Sequence, residues 1–373
     1  MKVTAPLDSR IASLDQFRGY AVAGMFLVNF IGPFAAAHYL FKHHNTYCSY
    51  ADTIMPQFFF AVGFAYRLAL LHRIDKDGRT AAYRHALGRC AALILIGFVI
   101  YHLDGGYGSW KQLQELGIWG FLQRSFRSSM FQTLTHIGVT SIWVLPVIAA
   151  RPRVRIGFMA TSGLGHLALV QVFYYEWARS VGAIDGGVLG FLGWTIPTLA
   201  GSLAYDLVVT RGSRGALMPL AVWSMGLMLL GYGLSCIGGI HRVLADDAQT
   251  FSELGWLASA PFVPPKGPLD SWLMNQQIAS LSYMTFAAGF SMAVYCLFVV
   301  ACDLGPIRIG VFRTFGTNAL AGYLIHDVVL VAFLPFTPRD SPLWYVLAAF
   351  ALYFGITYLF VRSLEKRGIF LRL

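Results

Sequence analysis

The sequence predicts an all-α membrane protein with about ten transmembrane helices and both termini in the cytoplasm. Three observations favour this fold class. Of the 373 residues, 57% are hydrophobic and only 12% are charged, whereas a soluble domain carries about 25% charged residues. Apolar runs of about 20 residues, long enough to cross a bilayer as a helix, recur along the chain. Lysine and arginine also concentrate in alternate connecting segments, as they do in membrane proteins.

The apolar runs predict ten spans within a single transmembrane domain over residues 1–373. The first run ends in Ala35-Ala36-Ala37, which resembles a signal-peptide cleavage site. However, 17 residues precede this run and it contains Asn29, so we expect a retained helix. The ten predicted spans are 18–37, 53–72, 86–103, 131–149, 156–175, 186–209, 215–236, 277–301, 310–334 and 343–361.

Two predicted outer loops, 104–130 and 240–276, are long. Loops of this length in compact proteins usually carry function rather than serve as plain connections. Within the first of them, the stretch 115–130 is a candidate for a short helix lying in the membrane interface.

The basic residues orient the predicted spans. With both termini inside, the inner segments hold 20 of the 28 Lys and Arg residues and the outer segments hold 8. Because basic residues gather in cytoplasmic loops, this asymmetry predicts a cytoplasmic N-terminus. The formal net charge of +10 is therefore interpreted as topological. The expected partner of this surface is the lipid bilayer, and no nucleic-acid partner is predicted.

Ionisable residues open the first predicted span, where they are costly and therefore candidates for function. Asp15 and Arg18 lie in the stretch Ser13-Leu14-Asp15-Gln16-Phe17-Arg18-Gly19. One interpretation is that Ser13 or Asp15 caps the helix while Arg18 extends to lipid phosphates. The alternative is that Arg18 binds a phosphorylated ligand in an inner cavity, because a guanidinium group matches phosphate oxygens.

Three histidines, His38, His43 and His44, lie in the first predicted outer loop. Neither a cysteine pair nor an H-E-x-x-H motif accompanies them, so no metal site is predicted. They are either solvated loop residues or include a catalytic histidine. The catalytic interpretation uses Asn29 in the first span and Asp52 at the start of the second. A carboxylate can hold the imidazole tautomer while the ring takes a proton from a nucleophile.

Other polar residues lie within later apolar runs, namely His136, His166, Asn318, His326 and Asp327. Asn318 and His326 are eight residues apart, which would place them on one face of a continuous helix. Hydrogen bonds between helices are one explanation for such residues, and the alternative is that some of them line a common cavity. The sequence contains no nucleophile elbow, P-loop or dinucleotide-binding fingerprint.

Several short motifs follow one another in order along nearly the whole chain. The first are Arg10-Ile11-Ala12-Ser13-Leu14-Asp15-Gln16-Phe17-Arg18-Gly19, Val28-Asn29, Phe41-Lys42-His43 and Ala51-Asp52 with Met55-Pro56-Gln57-Phe58-Phe59-Phe60-Ala61-Val62-Gly63. The later ones are Ser280-Leu281-Ser282-Tyr283, Phe315-Gly316-Thr317-Asn318-Ala319-Leu320 and Arg367-Gly368-Ile369-Phe370. In this order they resemble the heparan-α-glucosaminide N-acetyltransferase family and its bacterial relatives.

That resemblance implies acetyl transfer across the membrane, from cytoplasmic acetyl-CoA to the amine or hydroxyl of an amino sugar or related sugar on the periplasmic side. It places the catalytic histidine at His43, as a general base or a transient acetyl carrier. Asn29 would donate to the thioester oxyanion, and Asp52 would orient the imidazole. The histidine-to-aspartate spacing is one residue shorter than in the family, which leaves His44 open as an alternative, although Phe41-Lys42 favour His43.

Contacts to acetyl-CoA are expected at Arg18, Asn318 and His136, the last of which stands where the family's L-Q-R-L-G pattern has an arginine. The resemblance also implies a homodimer, a bacterial inner-membrane location and acetyl-CoA as donor, with no metal. The alternative function is an amino-sugar transporter that uses the same polar residues without chemistry.

Overall fold

A computed structural model describes residues 11–44, 46–102, 108–124, 131–245, 257–265 and 269–371. The structure is 79% helical, and the described residues contain no strand, which confirms the all-α fold class. The helices are α1 (Ala12–Ile31), α2 (Tyr50–Asp77), α3 (Arg79–His102), α4 (Trp110–Arg124), α5 (Thr133–Ile148), α6 (Pro152–Leu169), α7 (Tyr175–Ser180), α8 (Gly190–Ser235), α9 (Ile237–Ala245), α10 (Leu281–Phe298), α11 (Gly310–Thr317), α12 (Ala319–Phe333) and α13 (Leu343–Lys366).

Short helices of other types extend this set. The π-helical turn Val170–Tyr174 joins α6 to α7, and the π-helical turn Val299–Leu304 extends α10. Seven helical segments of the described chain are long and apolar enough to cross a membrane, which is compatible with an integral membrane protein. They are Tyr50–Asp77, Arg79–Tyr101, Pro152–Ser180, Gly190–Leu244, Leu281–Leu304, Ala319–Phe336 and Leu343–Lys366.

The first helix is displaced from its predicted range of 18–37 to Ala12–Ile31. The reason is that tertiary contacts bury its polar first turns. The backbone N–H and the hydroxyl of Ser13 both donate to the Asp303 carboxylate, at 3.1 and 2.7 Å. The Gln16 amide exchanges two hydrogen bonds with the Ile309 backbone, at 3.1 and 3.0 Å. Hydropathy alone cannot register these contacts.

The two long loops contain helices of their own. In place of a helix at 115–130, α4 spans Trp110–Arg124 with a break at Gly117, where φ is 62°, and residues 125–130 lie outside the described part. In the second loop α9 ends at Ala245, and residues 246–256 and 266–268 lie outside the described part.

The predicted span 310–334 consists of two helices, α11 and α12, separated at Asn318. The Asn318 side chain donates to the Ile369 carbonyl and accepts from the Leu371 N–H, both at 3.0 Å. The predicted span is therefore not one continuous helix, and Asn318 lies at the N-terminal end of the helix that carries His326.

Glycines let α2 and α8 cross with their backbones in contact. A Cβ atom added at Gly63 would lie 1.7 Å from the Thr198 carbonyl oxygen, and one added at Gly201 would lie 1.9 Å from the Phe60 carbonyl oxygen. Small residues allow this close approach between membrane helices. The crossing fixes α2, which carries Asp52, against α8.

A break at Gly212, where φ is 68°, divides α8 into two halves. It lies between the predicted spans 186–209 and 215–236. In the second half, Gly231 faces the Phe286 backbone and Ser224 faces Gly289. The second half therefore runs antiparallel to α10. The first half runs in the same direction as α10, because Trp194 contacts Tyr283 near the start of α10 and Tyr205 contacts the same Phe64 ring as Tyr295 further along it. The chain therefore reverses direction at the break.

Candidate functional site

A cavity of about 1200 Å³ lies between α1, α2, α3 and α12 and the loop segments beside them. Its polar wall includes Asn29, His43, Asp185, Gln276 and Asp327. No lysine or arginine is among the described residues that line it. A concave apolar site with a few converging polar groups is the usual form of a small-molecule site.

His43 and Asp52 form a hydrogen-bonded pair at the edge of this cavity. His43 Nδ1 lies 3.0 Å from Asp52 Oδ1. The Asp52 side chain is 1% exposed, whereas that of His43 is 48% exposed and lines the cavity. Because a carboxylate only accepts hydrogen bonds, Nδ1 carries the hydrogen. In the neutral ring, the other nitrogen, Nε2, then has a free lone pair.

The start of α2 holds Asp52 in place. Ser49 is the N-cap residue and forms a capping box with Asp52, which the sequence Ser49-Tyr50-Ala51-Asp52 encodes. The Ser49 N–H donates to Asp52 Oδ2 at 2.9 Å, while Asp52 Oδ1 pairs with His43. In addition, the Tyr283 hydroxyl donates to the Asp52 backbone carbonyl at 2.6 Å, which ties this turn to α10.

The carboxylates around His43 favour its charged form. Burial among protein atoms opposes protonation, but the hydrogen bond to Asp52 and the negative charges of Asp52 and Asp185 outweigh it and raise the pKa of His43. Burial also raises the pKa of Asp185, to about 6, against the opposing effects of a hydrogen bond from Gln276 and the charge of His43. The pKa values of both groups are therefore raised within one site, as expected where proton transfer is to occur.

Asn29 lies near the end of α1 and lines the same cavity. Among the described residues, its side-chain amide has no hydrogen-bond partner. An amide that faces a cavity with its N–H groups free can donate to an oxygen that gains negative charge. The structure thus brings together three of the predicted catalytic residues, namely Asn29, His43 and Asp52.

His44 has a different environment from His43. Its Nε2 lies 2.8 Å from the Tyr39 backbone oxygen, and its ring stacks on Tyr47 at 4.4 Å between centroids. Neither His44 nor His38 lines the cavity. These contacts give His44 a role in holding the loop between α1 and α2.

The three residues predicted to contact acetyl-CoA lie outside the cavity lining. Arg18 lies 3.9 Å from the Asp15 carboxylate with 32% of its side chain exposed. It is eleven residues before Asn29, or about 16 Å along α1. His136 is fully buried between the rings of Phe131 and Trp194. The Asn318 side-chain amide is hydrogen-bonded to the backbone of Ile369 and Leu371 near the C-terminus, as described above.

Sequence reasoning missed Asp185 and Gln276. Gln276 Nε2 donates to Asp185 Oδ1 at 2.6 Å, and both residues are buried. Asp185 precedes Gly186 and Gly187, directly before the predicted span 186–209. Its position between apolar segments was a usable signal, since carboxylates near membrane helices are costly. Gln276 gave no comparable signal.

A buried ion cluster was also missed. Arg67 Nε lies 2.6 Å from Asp206 Oδ1, and Arg155 pairs with the other oxygen of the same carboxylate. Arg155 is completely buried and also donates to the Ser202 hydroxyl at 2.8 Å. Arg67 and Arg155 are among the 20 basic residues assigned above to inner segments, but they lie in α2 and α6, and Asp206 lies in α8.

The described residues include no group of three His, Cys, Asp or Glu side chains that could hold a metal ion. No protein-family model matches the chain, and no curated protein sequence matches it significantly. The acetyltransferase resemblance therefore stays a prediction from the motifs.

Proposed function

We propose that the protein is an acetyltransferase of the bacterial inner membrane that transfers an acetyl group from cytoplasmic acetyl-CoA to the amine or hydroxyl of a periplasmic sugar, with amino sugars as the leading acceptors. The observation that carries this proposal is the His43–Asp52 pair, with Nδ1 bound to the carboxylate at 3.0 Å and the ring facing a cavity. The motif resemblance adds independent support, because it selects the same histidine, asparagine and aspartate.

In the proposed step, His43 Nε2 takes the proton of the acceptor's amine or hydroxyl as that atom attacks the thioester carbon. The carbon–sulfur bond then breaks, and the imidazolium returns its proton to the thiolate of CoA. Asp52 accepts the Nδ1–H bond throughout and stabilises the charged ring. The Asn29 amide donates to the oxygen of the tetrahedral intermediate.

The cavity suits the uncharged acyl arm of the donor rather than its phosphates, because no described lining residue is a lysine or arginine. The phosphates would lie towards Arg18, about 16 Å away along α1. This arrangement accompanies a proposed topology of ten spans with both termini cytoplasmic. The reversal at Gly212 supports two spans within α8, and the basic-residue asymmetry supports the orientation.

The direct test incubates the purified protein with acetyl-labelled CoA and a panel of amino and neutral sugars. We expect a labelled sugar product. His43→Ala should lower the rate by about 10²–10⁴-fold, the usual contribution of a general base. The matched control is His44→Ala, which should keep substantial activity because His44 binds the loop backbone.

Two results would redirect the proposal. Label that stays on the protein when acceptor is omitted, and disappears in His43→Ala, would make His43 an acetyl carrier rather than a base. If the wild-type protein acetylates no sugar but moves labelled amino sugar into proteoliposomes, the protein is a transporter.

A further inference from the structure

Gln276 lines the cavity and has an unsatisfied side-chain acceptor. Its Nε2 donates to Asp185 Oδ1 at 2.6 Å. While Asp185 is ionised this fixes the amide orientation, because the reverse orientation would place two acceptor oxygens against each other. Gln276 Oε1 is buried and has no hydrogen-bond partner among the described residues. Such atoms are rare in folded proteins because an unpaired buried acceptor costs about 1–3 kcal/mol.

The donor that this oxygen lacks is present in only one protonation state of His43. While Nδ1–H is bound to Asp52, neutral His43 offers a lone pair at Nε2, and a lone pair cannot pair with Oε1. After proton transfer, Nε2 carries a hydrogen and becomes a donor. Other titratable groups in the cavity wall are Asp185 in the segment before α8, Tyr101 in α3, and Tyr323, His326 and Asp327 in α12.

We propose that Gln276 is a positioning residue of the acetyl transfer: its Oε1 accepts a hydrogen bond from Nε2–H of protonated His43, and Asp185 holds the amide in the orientation that allows this. The inference rests on the proposed function, since the acceptor's proton is the one that arrives at Nε2. The proton stays on Nε2 while it is shared with Oε1, and it leaves with the CoA thiolate.

The electrostatics of the site agree with this arrangement. The approach of the Gln276 amide and the charge of Asp185 both act to raise the pKa of His43, after the larger effects of Asp52. His43 is thus held on two sides. On one side His43 contacts the Asp52 carboxylate directly. On the other side its interaction with the Asp185 carboxylate is made through the Gln276 amide.

The test measures the pKa of His43 by NMR in the full-length, histidine-labelled protein, with the His43 signal assigned by its loss in His43→Gln. Gln276→Leu removes the acceptor, and Asp185→Asn removes the negative charge while leaving an oxygen that can still accept from Gln276 Nε2. The pKa of His43 should fall in both variants. Gln277→Leu is the matched control, because Gln277 is the neighbouring cavity residue, and it should leave the pKa of His43 unchanged.

The same hydrogen bond, from His43 Nε2–H to Gln276 Oε1, also predicts how the rate of acetyl transfer should change. A hydrogen bond to a charged group is worth about 1.5–3 kcal/mol, so kcat should fall about 10- to 100-fold in Gln276→Leu. The KM for acetyl-CoA should change little. The rising limb of the pH profile should move to lower pH with the pKa of His43, an effect that a purely structural role would not produce.

An unchanged pKa of His43 in Gln276→Leu would overturn the inference, whatever the activity. An equal fall in Gln277→Leu would overturn it as well, because the effect would then come from general cavity polarity. If the pKa of His43 falls as expected but the wild-type protein transfers no acetyl group, the hydrogen bond between Gln276 and His43 is supported and the proposed function is wrong.

Discussion

The crossing of α2 and α8 allows a prediction whose size follows from the structure. In Gly63→Ala the new Cβ would lie 1.7 Å from the Thr198 carbonyl oxygen, whereas real Cβ atoms essentially never approach closer than 3.0 Å. The obstacle is backbone, so no side chain can rotate away. The two helices must separate instead, and Asp52 would move relative to the segment that carries Asp185.

Overpacking of this kind costs about 3 kcal/mol at the upper end of its usual range. The exchange of glycine for alanine in a helix recovers about 1 kcal/mol through higher helix propensity. We therefore expect Gly63→Ala to lower the free energy of unfolding by about 2 kcal/mol. The matched control is Gly226→Ala in α8, where an added Cβ meets nothing within 4 Å. Only the gain in helix propensity remains there.

Thermal unfolding in detergent can be followed with a thiol-reactive fluorophore, because four of the five cysteines are buried. Gly63→Ala should melt several degrees below the wild type and Gly226→Ala at or above it. The double variant Gly63→Ala/Gly201→Ala should lose less stability than the two single losses combined, since one separation makes room for both methyl groups. A wild-type melting temperature for Gly63→Ala would refute the close crossing.

Three further predictions concern the rest of the molecule. Asp206→Asn should lower the free energy of unfolding by about 3–5 kcal/mol, because it leaves two arginines in the cluster without their counter-charge; a normal melting curve would contradict this. Saturating acetyl-CoA should raise the melting temperature by mass action. Arg18→Ala should weaken that increase, whereas Asn318→Ala should lower only the melting temperature measured without acetyl-CoA. Equal increases on adding acetyl-CoA in both variants would show that Arg18 is not part of the donor site. In sealed cells, a membrane-impermeant thiol reagent should label Asp340→Cys but not Lys76→Cys, and the reverse pattern would invert the topology.

The sequence predicted the helical class and the location of most helices, because hydropathy depends on local composition. It misplaced α1 because the polar groups of Ser13 and Gln16 are buried by partners almost 300 residues away. It also missed the interruption at Asn318, which is stabilised by the distant C-terminal backbone. Contacts of such sequence separation leave no periodic signal in a single sequence.

In the candidate site, too, local contacts were predictable from the sequence and long-range contacts were not. The proximity of His43 and Asp52 was predictable, since both lie within one short stretch and the capping box fixes the aspartate. Asp185 and Gln276 are 91 residues apart, and nothing in the sequence indicates that the two residues pair. Their pairing, and their approach to His43, depend on how the segments before α8 and α10 come together.

The single Asp52 carboxylate both closes the first turn of α2 and holds the His43 ring. Fraying of that turn and release of the imidazole are consequently one event, governed by one local equilibrium. Because helix ends open far more readily than whole domains, heating should abolish ring alignment well before the bundle melts. Reversible loss of competence on warming, with the bundle intact, would then report the behaviour of a single helical turn.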